Sequence, residues 1–331
     1  TYLFAYLSVG EFDGNKQDLA EAGLSDSTSN TVNQAWASHV MNLADAKWQD
    51  YLEARAKTLY EQGYDGLFLD TLDSFQLLPA QQQEQQRQGL IQILTKLQTS
   101  TPELKLVFNR GFEVVHELAE KPAAVAIESI YAGWDPSNNR YVPVKEQDRE
   151  WLQQHIDPIR GKDIPVIAIE YLPVERREEA RKLTKKLTNE GFIPYIGTPH
   201  LDTLGISSIE VQPRRLAVLY DPREGDLTAA SGHVALGGLL EYLGYRVDYF
   251  PVDQPLPDHA MLGLYAGVIS WITSGPPVNS GAFYAWINQR LDENIPVVFF
   301  GSMPIENAAL LERMGLRQKA AVAGKKMAID H

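Results

Sequence analysis

The sequence of 331 residues predicts an α/β protein with two domains. Residues 1–212 are expected to form a (β/α)8-type TIM barrel that lacks its first strand, and residues 213–331 a smaller, flavodoxin-like, doubly wound α/β domain. Three observations support this prediction. Short apolar runs alternate with segments of helical periodicity, which is typical of parallel sheets with helical crossovers. Several of these runs end abruptly in an acid, and the alternation restarts after residue 212.

The first part contains six apolar runs that predict strands. They cover residues 2–8, 66–70, 105–108, 124–128, 165–170 and 193–196. The predicted helices cover 36–62, about 90–97 after a glutamine-rich segment at 81–88, 113–119, 145–157 and 176–190. A closed barrel requires eight strands. Either a strand escapes the pattern or the start of the barrel is absent, and the opening inside an apolar run favours the second explanation.

The second part repeats the alternation on a smaller scale. Its predicted strands are 215–220, 246–250, 265–272 and 296–300, and its predicted helices are 228–243, 281–293 and 305–314. The sequence has neither G-x-G-x-x-G after the first of these strands nor a P-loop, so it gives little support for a nucleotide site. We therefore assign no chemistry to this domain.

Composition limits the possible functions. The formal net charge of −13 and a pI near 5.0 argue against binding to nucleic acid and favour neutral or cationic partners. No apolar stretch reaches the roughly 18 residues of a membrane span. The sequence has no cysteine, which excludes thiol catalysis and disulfides, and its seven histidines lack the spacing of a metal site, so no metal is expected.

Carboxylates follow several of the predicted strands. Asp70, Glu128 and Glu170 each come directly after an apolar run, and Glu11 ends the first strand. The carboxyl ends of barrel strands face one mouth, so these acids should share a cleft. Helix capping is the alternative for Asp70 and also for the nearby Asp73. A buried ion pair, for instance with Arg110, is the alternative for Glu170.

Other polar and aromatic side chains are predicted at the same mouth. Asn109 and Arg110 would supply hydrogen-bond donors, and Ser8 lies beside Glu11. Paired carboxylates in a cleft are what glycoside hydrolysis needs, and aromatic rings can stack on sugar rings. The aromatic candidates are Tyr6, Tyr131, Trp134, Tyr171 and Tyr195. The set favours a saccharide groove over a phosphate site.

Three motifs carry a resemblance to a known family. They are AYLSVGE at 5–11, GYDGLFLDTLD at 63–73 and AIES at 126–129. Over residues 1 to about 212 the chain resembles the glycoside hydrolase region of the Pel polysaccharide biosynthesis proteins, and more distantly the endo-α-1,4-polygalactosaminidases. Residues 213–331 are similar to the reductase-like domain that follows it. The resemblance implies a periplasmic enzyme without a cofactor.

The resemblance also implies a substrate and a catalytic pair. The substrate would be an α-1,4-linked, N-acetylgalactosamine-rich, partly deacetylated and therefore cationic polysaccharide, cleaved internally. The motifs place the catalytic pair at Asp70 and Glu128. Our hypothesis makes Glu128 the nucleophile and Asp70 the acid/base, while Glu11, Asp73 and Glu170 position sugar groups. An outer-membrane scaffold protein of the PelB type is the implied protein partner.

Two other functions remain open at this stage. The first is a non-catalytic polysaccharide-binding or scaffold module of an export machinery, because barrels also host binding functions. The second is a phosphate-handling or nucleotide-dependent enzyme seated in residues 213–331. Turnover of a polysaccharide would distinguish the hydrolase from the binding module, since a binding module retards polymer fragments without shortening them.

Overall fold

The computed structural model describes residues 2–34, 36–302 and 306–317. The chain divides into two compact units, one comprising Thr1–Pro199 with Gly205–Glu210 and the other His200–Leu204 with Val211–His331. Residues 318–331 of the predicted second domain lie outside the described residues. Among the described residues, no helix has both the length and the apolar character needed to span a bilayer.

The first unit alternates strands and helices. Its strands are β1 (Phe4–Ser8), β2 (Glu11–Phe12), β3 (Thr28–Asn33), β4 (Ser38–Met41), β5 (Gly66–Asp70), β6 (Lys105–Asn109), β7 (Ala124–Glu128), β8 (Ala132–Asp135), β9 (Arg140–Pro143), β10 (Val166–Tyr171), β11 (Ile193–Gly197) and β12 (Ile206–Ser207). Its helices are α1 (Lys16–Glu21), α2 (Ala46–Glu61), α3 (Ala80–Ser100), α4 (Glu146–Arg160) and α5 (Arg177–Asn189).

A seven-stranded sheet in the order β1-β5-β6-β7-β10-β11-β12 forms the centre of this unit. The first six strands run parallel, and β12 is antiparallel to β11. The α/β class and the parallel sheet predicted from sequence are thus confirmed. The sheet is not closed, because β1 and β12 lie at opposite ends of it within the part of the chain that the structure describes.

The helices cover the outer face of this sheet. In α2 the buried residues Trp48, Leu52, Ala56 and Leu59 recur every three or four positions, so one stripe of the helix faces the sheet. Gly63 follows the helix with φ +93°, a left-handed conformation that favours glycine at a helix end. The strands contribute apolar side chains to the same core.

Two of the predicted helices differ from the structure, one at its start and one over its whole length. The predicted helix 36–62 begins too early, because residues 38–41 form β4 and the helix itself starts at Ala46. The predicted helix 113–119 is a series of turns. β4 is stabilised by pairing with β2 and β3 in a three-stranded antiparallel sheet. Periodicity reports local contacts only, so it does not detect a strand that depends on such pairing.

Strand register places one set of side chains on the inner face of the main sheet. Ser8 is paired with Asp70, Asn109 with Ala126, and Glu128 with Ile169. Side chains two residues apart on a strand share a face, so Tyr6, Asp70, Asn109, Glu128 and Tyr171 all point inward. A small apolar cluster that includes Val107, Ala126 and Ile169 lies on the same face.

The second unit is built on a four-stranded parallel sheet in the order β14-β13-β15-β16. Its strands are β13 (Arg215–Tyr220), β14 (Arg246–Pro251), β15 (Gly267–Ile272) and β16 (Val297–Gly301), and its helices are α6 (Gly238–Tyr242), α7 (Ser280–Asp292) and α8 (Ala308–Arg313). The predicted helix 228–243 is shorter than expected, since helical structure covers 231–242 and includes a π-helical turn at His233–Gly237. The start of the predicted helix 305–314 lies outside the described residues.

Candidate active site

A cleft of about 700 Å³ opens where the parallel strands of the first unit end. Eight of the residues that the sequence predicted for the site line it, namely Tyr6, Ser8, Glu11, Asp70, Asp73, Asn109, Arg110 and Glu128. Its other lining residues are Asp13, Asn33, Trp36, Ser38, Thr71, Ser74, Gln76 and Leu77. The position of the cleft follows from the parallel sheet, since the carboxyl ends of parallel strands meet at one edge.

Asn109 lies between the two carboxylates at the centre of this cleft. Its Nδ2 donates one hydrogen bond of 2.8 Å to Asp70 Oδ1 and another of 2.8 Å to Glu128 Oε1. Because both oxygens lie 2.8 Å from one nitrogen, they are no more than 5.6 Å apart. An amide can make both bonds because its NH₂ group carries two hydrogens. The two carboxylates therefore lie close together at the centre of the cleft.

A tyrosine hydroxyl donates to each carboxylate. Tyr6 donates to Asp70 Oδ2 and Tyr171 donates to Glu128 Oε2, both at 2.8 Å. Loss of water around the hydroxyls raises the pKa of both phenols well above its usual range, and the neighbouring carboxylates raise it further. Both hydroxyls therefore keep their protons near neutral pH and act as fixed donors.

The chain turns in a rare conformation directly after each central polar residue. Thr71, Arg110 and Ser129 follow Asp70, Asn109 and Glu128, and their φ angles are 61°, 59° and 62°. Non-glycine residues adopt this left-handed region at a cost of about 1–2 kcal/mol each. Such conformations are typical of functional sites whose surroundings impose them. Here three neighbouring strands share the same ending.

Glu11 is a buried carboxylate at one side of the cleft. It accepts hydrogen bonds from Asn33 Nδ2 at 3.0 Å and from the hydroxyls of Ser38 and Ser74. Asn33 and Ser38 belong to β3 and β4, whereas Ser74 follows β5. Glu11 thus joins the small antiparallel sheet to the segment that follows Asp70.

Glu170 is fully buried and does not line the cleft. It accepts hydrogen bonds from the backbone amides of Ile130, Tyr131 and Ala132, at 2.8, 3.0 and 2.6 Å. Burial raises the pKa of Glu170, and the three amide donors oppose that shift. The carboxylate therefore fixes the segment between Glu128 and β8.

The remaining predicted residues differ in position. Arg110 lies 3.3 Å from Asp73 in an ion pair, so the pairing with Glu170 considered from sequence is not the one observed. The hydroxyl of Tyr131 donates to the carboxylate of Glu190, and burial raises the pKa of the Tyr131 phenol to about 12. Trp134 and Tyr195 pack with the apolar cluster on the inner face of the sheet.

The charge of the cleft is strongly negative. Five carboxylates line it, from Glu11, Asp13, Asp70, Asp73 and Glu128, against one cationic side chain, that of Arg110. Sequence reasoning missed Trp36 and Asp13, because both lie in segments whose strands depend on the small antiparallel sheet. An indole next to polar residues gives no periodic signal, and a helix assigned there hides it.

A carboxylate pair at the C-terminal edge of a parallel sheet is the arrangement that glycoside hydrolases with a TIM-barrel-like fold use. The sequence profile of glycoside-hydrolase family GH114 matches residues 1–212, and the chain belongs to this family.

The chain is also similar to solved structures. The glycoside hydrolase domain of PelA from Pseudomonas aeruginosa is 51% identical, with a TM-score of 0.61, and the match covers 62% of this chain and 82% of that one. A variant of that domain gives the same values. Ega3 from Aspergillus fumigatus, solved with galactosamine, is 11% identical with a TM-score of 0.45, and the match covers 60% and 76% of the two chains. No curated protein matches the chain.

Proposed function

We propose that this glycoside hydrolase cleaves an α-1,4-linked, galactosamine-containing exopolysaccharide internally, with Asp70 and Glu128 as the catalytic pair. The observation that carries the proposal is the hydrogen bonding of both carboxylates to one amide nitrogen in an open cleft. Two carboxyl groups about 5–5.5 Å apart are typical of retaining glycosidases, whereas inverting enzymes need about 6.5–9.5 Å. The upper limit of 5.6 Å between the two oxygens supports a retaining reaction.

In this reaction Glu128 attacks the anomeric carbon while Asp70 protonates the departing glycosidic oxygen. The bond to the leaving sugar breaks as the bond to the glutamate oxygen forms, which gives a covalent glycosyl-enzyme. Asp70, now ionised, then takes a proton from water, and the resulting attack on the anomeric carbon releases Glu128. The hydrogen bonds from Asn109 and the two tyrosines hold both carboxylates in place through these steps.

The acidic lining of the cleft supports a cationic substrate. Free amino groups of a partly deacetylated polymer carry positive charge, which five carboxylates would attract. Similarity to the PelA hydrolase domain points to the Pel class of polysaccharide. Binding should then weaken as ionic strength rises, because salt screens exposed charges.

The experiment compares the wild-type protein with Asp70→Asn and Glu128→Gln on α-1,4-linked galactosamine and N-acetylgalactosamine oligomers, with chain length measured by mass spectrometry. Each variant should lose at least about a thousandfold in kcat, and the double variant little more, because catalytic groups that act together are not additive. Thermal unfolding of the variants should stay close to that of the wild type. Full activity in either variant would refute the pair.

Location, protein partner and the second domain complete the proposed function. We propose a periplasmic location and an outer-membrane scaffold of the PelB type as partner, on the similarity to PelA alone. For residues 213–331 we propose a flavodoxin-like, reductase-like domain. The strand order, in which β13 lies between β14 and β15, supports a doubly wound sheet for the described part of that unit.

A further inference from the structure

We infer that Trp36 forms a sugar-stacking subsite on the Asp70 side of the cleft, and that the buried Glu11 holds this subsite in place. The inference depends on the proposed function, because it assigns a second binding position for the same polysaccharide. It concerns a residue that lies outside the carboxylate pair and its hydrogen-bonded neighbours.

Trp36 is exposed over 66% of its surface, although it lines the cleft. Tyr6 and Leu77, which are 62% and 53% exposed, line the same cleft. Single exposed apolar side chains are normal on a protein surface, but three large ones around one acidic cleft form a cluster, which is typical of a binding site. A sugar ring has an apolar face of C–H groups, and an indole is the largest flat surface that a side chain can offer to it.

The turn that carries Trp36 is tied at both ends. It joins Asn33, the last residue of β3, to Ser38, the first residue of β4, and both side chains donate to the carboxylate of Glu11. Within the turn, the Trp36 amide donates to the Asn33 carbonyl at 3.3 Å. The backbone on either side of the indole is therefore fixed to one buried anion.

Glu11 also fixes this turn relative to the catalytic centre. The hydroxyl of Ser74, four residues after Asp70, donates to the same carboxylate. Gly10 has no room for a side chain, because a Cβ there would lie 2.1 Å from the Thr71 carbonyl oxygen. The small antiparallel sheet thus packs directly beside the segment that follows Asp70, which places Trp36 on that side of the cleft.

A platform held in this way favours long substrates. Short oligomers that occupy only the carboxylate pair do not reach the indole, whereas longer ones can stack on it. Because the residues at both ends of the turn already donate to Glu11, little conformational entropy is lost when the sugar stacks. The subsite should therefore act mainly through affinity, and its contribution should appear only in oligomers that are long enough to reach the indole.

The test measures binding of α-1,4-linked galactosamine oligomers of increasing length by calorimetry, in the inactive Glu128→Gln background. Trp36→Ala should weaken the Kd for long oligomers about tenfold, and the loss should be much smaller for the shortest oligomer that binds. Trp36→Tyr, which keeps a flat ring, should restore most of the affinity. Tyr242→Ala, at a residue 88% exposed in the second unit, is the control and should bind as the background does.

Glu11→Gln tests the positioning role. The glutamine amide should disrupt this arrangement, because its NH₂ group would face one of the three donors that Glu11 now binds. The variant should therefore show the same length-dependent loss of affinity as Trp36→Ala. Combining it with Trp36→Ala should add little, since coupled residues give non-additive effects. Ser38→Ala, which removes a single donor, gives the same comparison if Glu11→Gln does not fold.

The two proposals fail in different ways. Equal Kd values for Trp36→Ala and its background at every length would overturn the subsite, even if the wild type cleaves the polymer. Fully additive losses from Glu11→Gln and Trp36→Ala would overturn the positioning role. A wild-type enzyme that leaves all oligomers intact while Trp36→Ala still weakens their binding would instead refute the proposed reaction and support the subsite.

Discussion

Asp70 and Glu128 accept hydrogen bonds from the same side-chain nitrogen, that of Asn109, although they lie on strands separated by β6. The shared donor sets an upper limit on their separation and offsets part of the repulsion between two carboxylates. Each carboxylate also has a tyrosine donor of its own. The pair is therefore held from three sides before any substrate binds.

Loss of the shared donor should lower the activity of the enzyme. In Asn109→Ala both carboxylates lose their hydrogen bond to the amide, so neither is held as firmly in position. We expect kcat to fall at least about tenfold, which is the effect of removing a hydrogen bond to a charged group, and steady-state kinetics on a single defined oligomer measures the fall. An unchanged kcat would show that Asn109 does not position the pair.

The two tyrosines can be separated by single substitutions. Tyr171→Phe removes the donor to Glu128 and keeps the ring, and we expect kcat to fall about tenfold, which is the effect of one hydrogen bond to a charged group. Tyr6→Phe should act in the same way through Asp70. Steady-state kinetics on a single defined oligomer measures both. A change in KM alone would assign these hydroxyls to substrate binding.

Glu170→Gln should destabilise the protein. Three backbone amides donate to this buried carboxylate, and an amide in its place would direct an NH₂ group at one of them. We expect a loss of about 1–3 kcal/mol in the free energy of unfolding, which urea denaturation would measure. Activity per folded molecule should also fall, since the segment after Glu128 loses its anchor. Unchanged stability would show that the three bonds contribute nothing.

The ion pairs of Glu210 should stabilise the first unit in a pH-dependent way. Hydrogen bonds from Arg181 and Arg177 lower the pKa of Glu210 to about 2. A carboxyl whose folded pKa is lowered contributes stability above its unfolded pKa, near 4.3, and loses it as the pH falls towards 2.

Glu210→Gln should therefore cost about 1 kcal/mol at pH 7, and the difference from wild type should shrink between pH 4.5 and 2. Urea denaturation midpoints of both proteins at pH 7, 5 and 3 measure this difference in stability. Glu146→Gln, at an exposed residue 4.0 Å from Arg149, is the matched control and should change little at any pH. A difference that stays constant down to pH 3 would contradict the assignment.

The main sheet and the central carboxylates could be predicted because their signals are local. The run before Asp70 is apolar on both faces, and a charge directly after such a run marks a strand end. The register that brings Asn109 between the two acids could not be predicted, since it depends on pairing between strands. The same limit explains the missed turn around Trp36, whose flanking strands are held by a carboxylate more than twenty residues away.

The role of Glu170 was also beyond the sequence. An acid after an apolar run looks the same whether it meets solvent or backbone amides, and only the path of residues 130–132 over it distinguishes the two. Trp134 and Tyr195 were predicted for the sugar site but do not line the cleft. Their positions at strand ends suggested a sugar site, yet their rings fill the inner apolar cluster.

The left-handed backbone of Thr71, Arg110 and Ser129 lowers the stability of this end of the sheet. Substitutions at these three positions can therefore raise the stability of the protein. Glycine would adopt the same angles without steric cost, so a laboratory search for hardier versions of this hydrolase should start there. Ser129→Gly is the simplest first choice, because Thr71 bonds to Ser8 and Arg110 is paired with Asp73. The protein keeps three non-glycine residues at such angles, so it retains the side chains at these positions at a cost in stability.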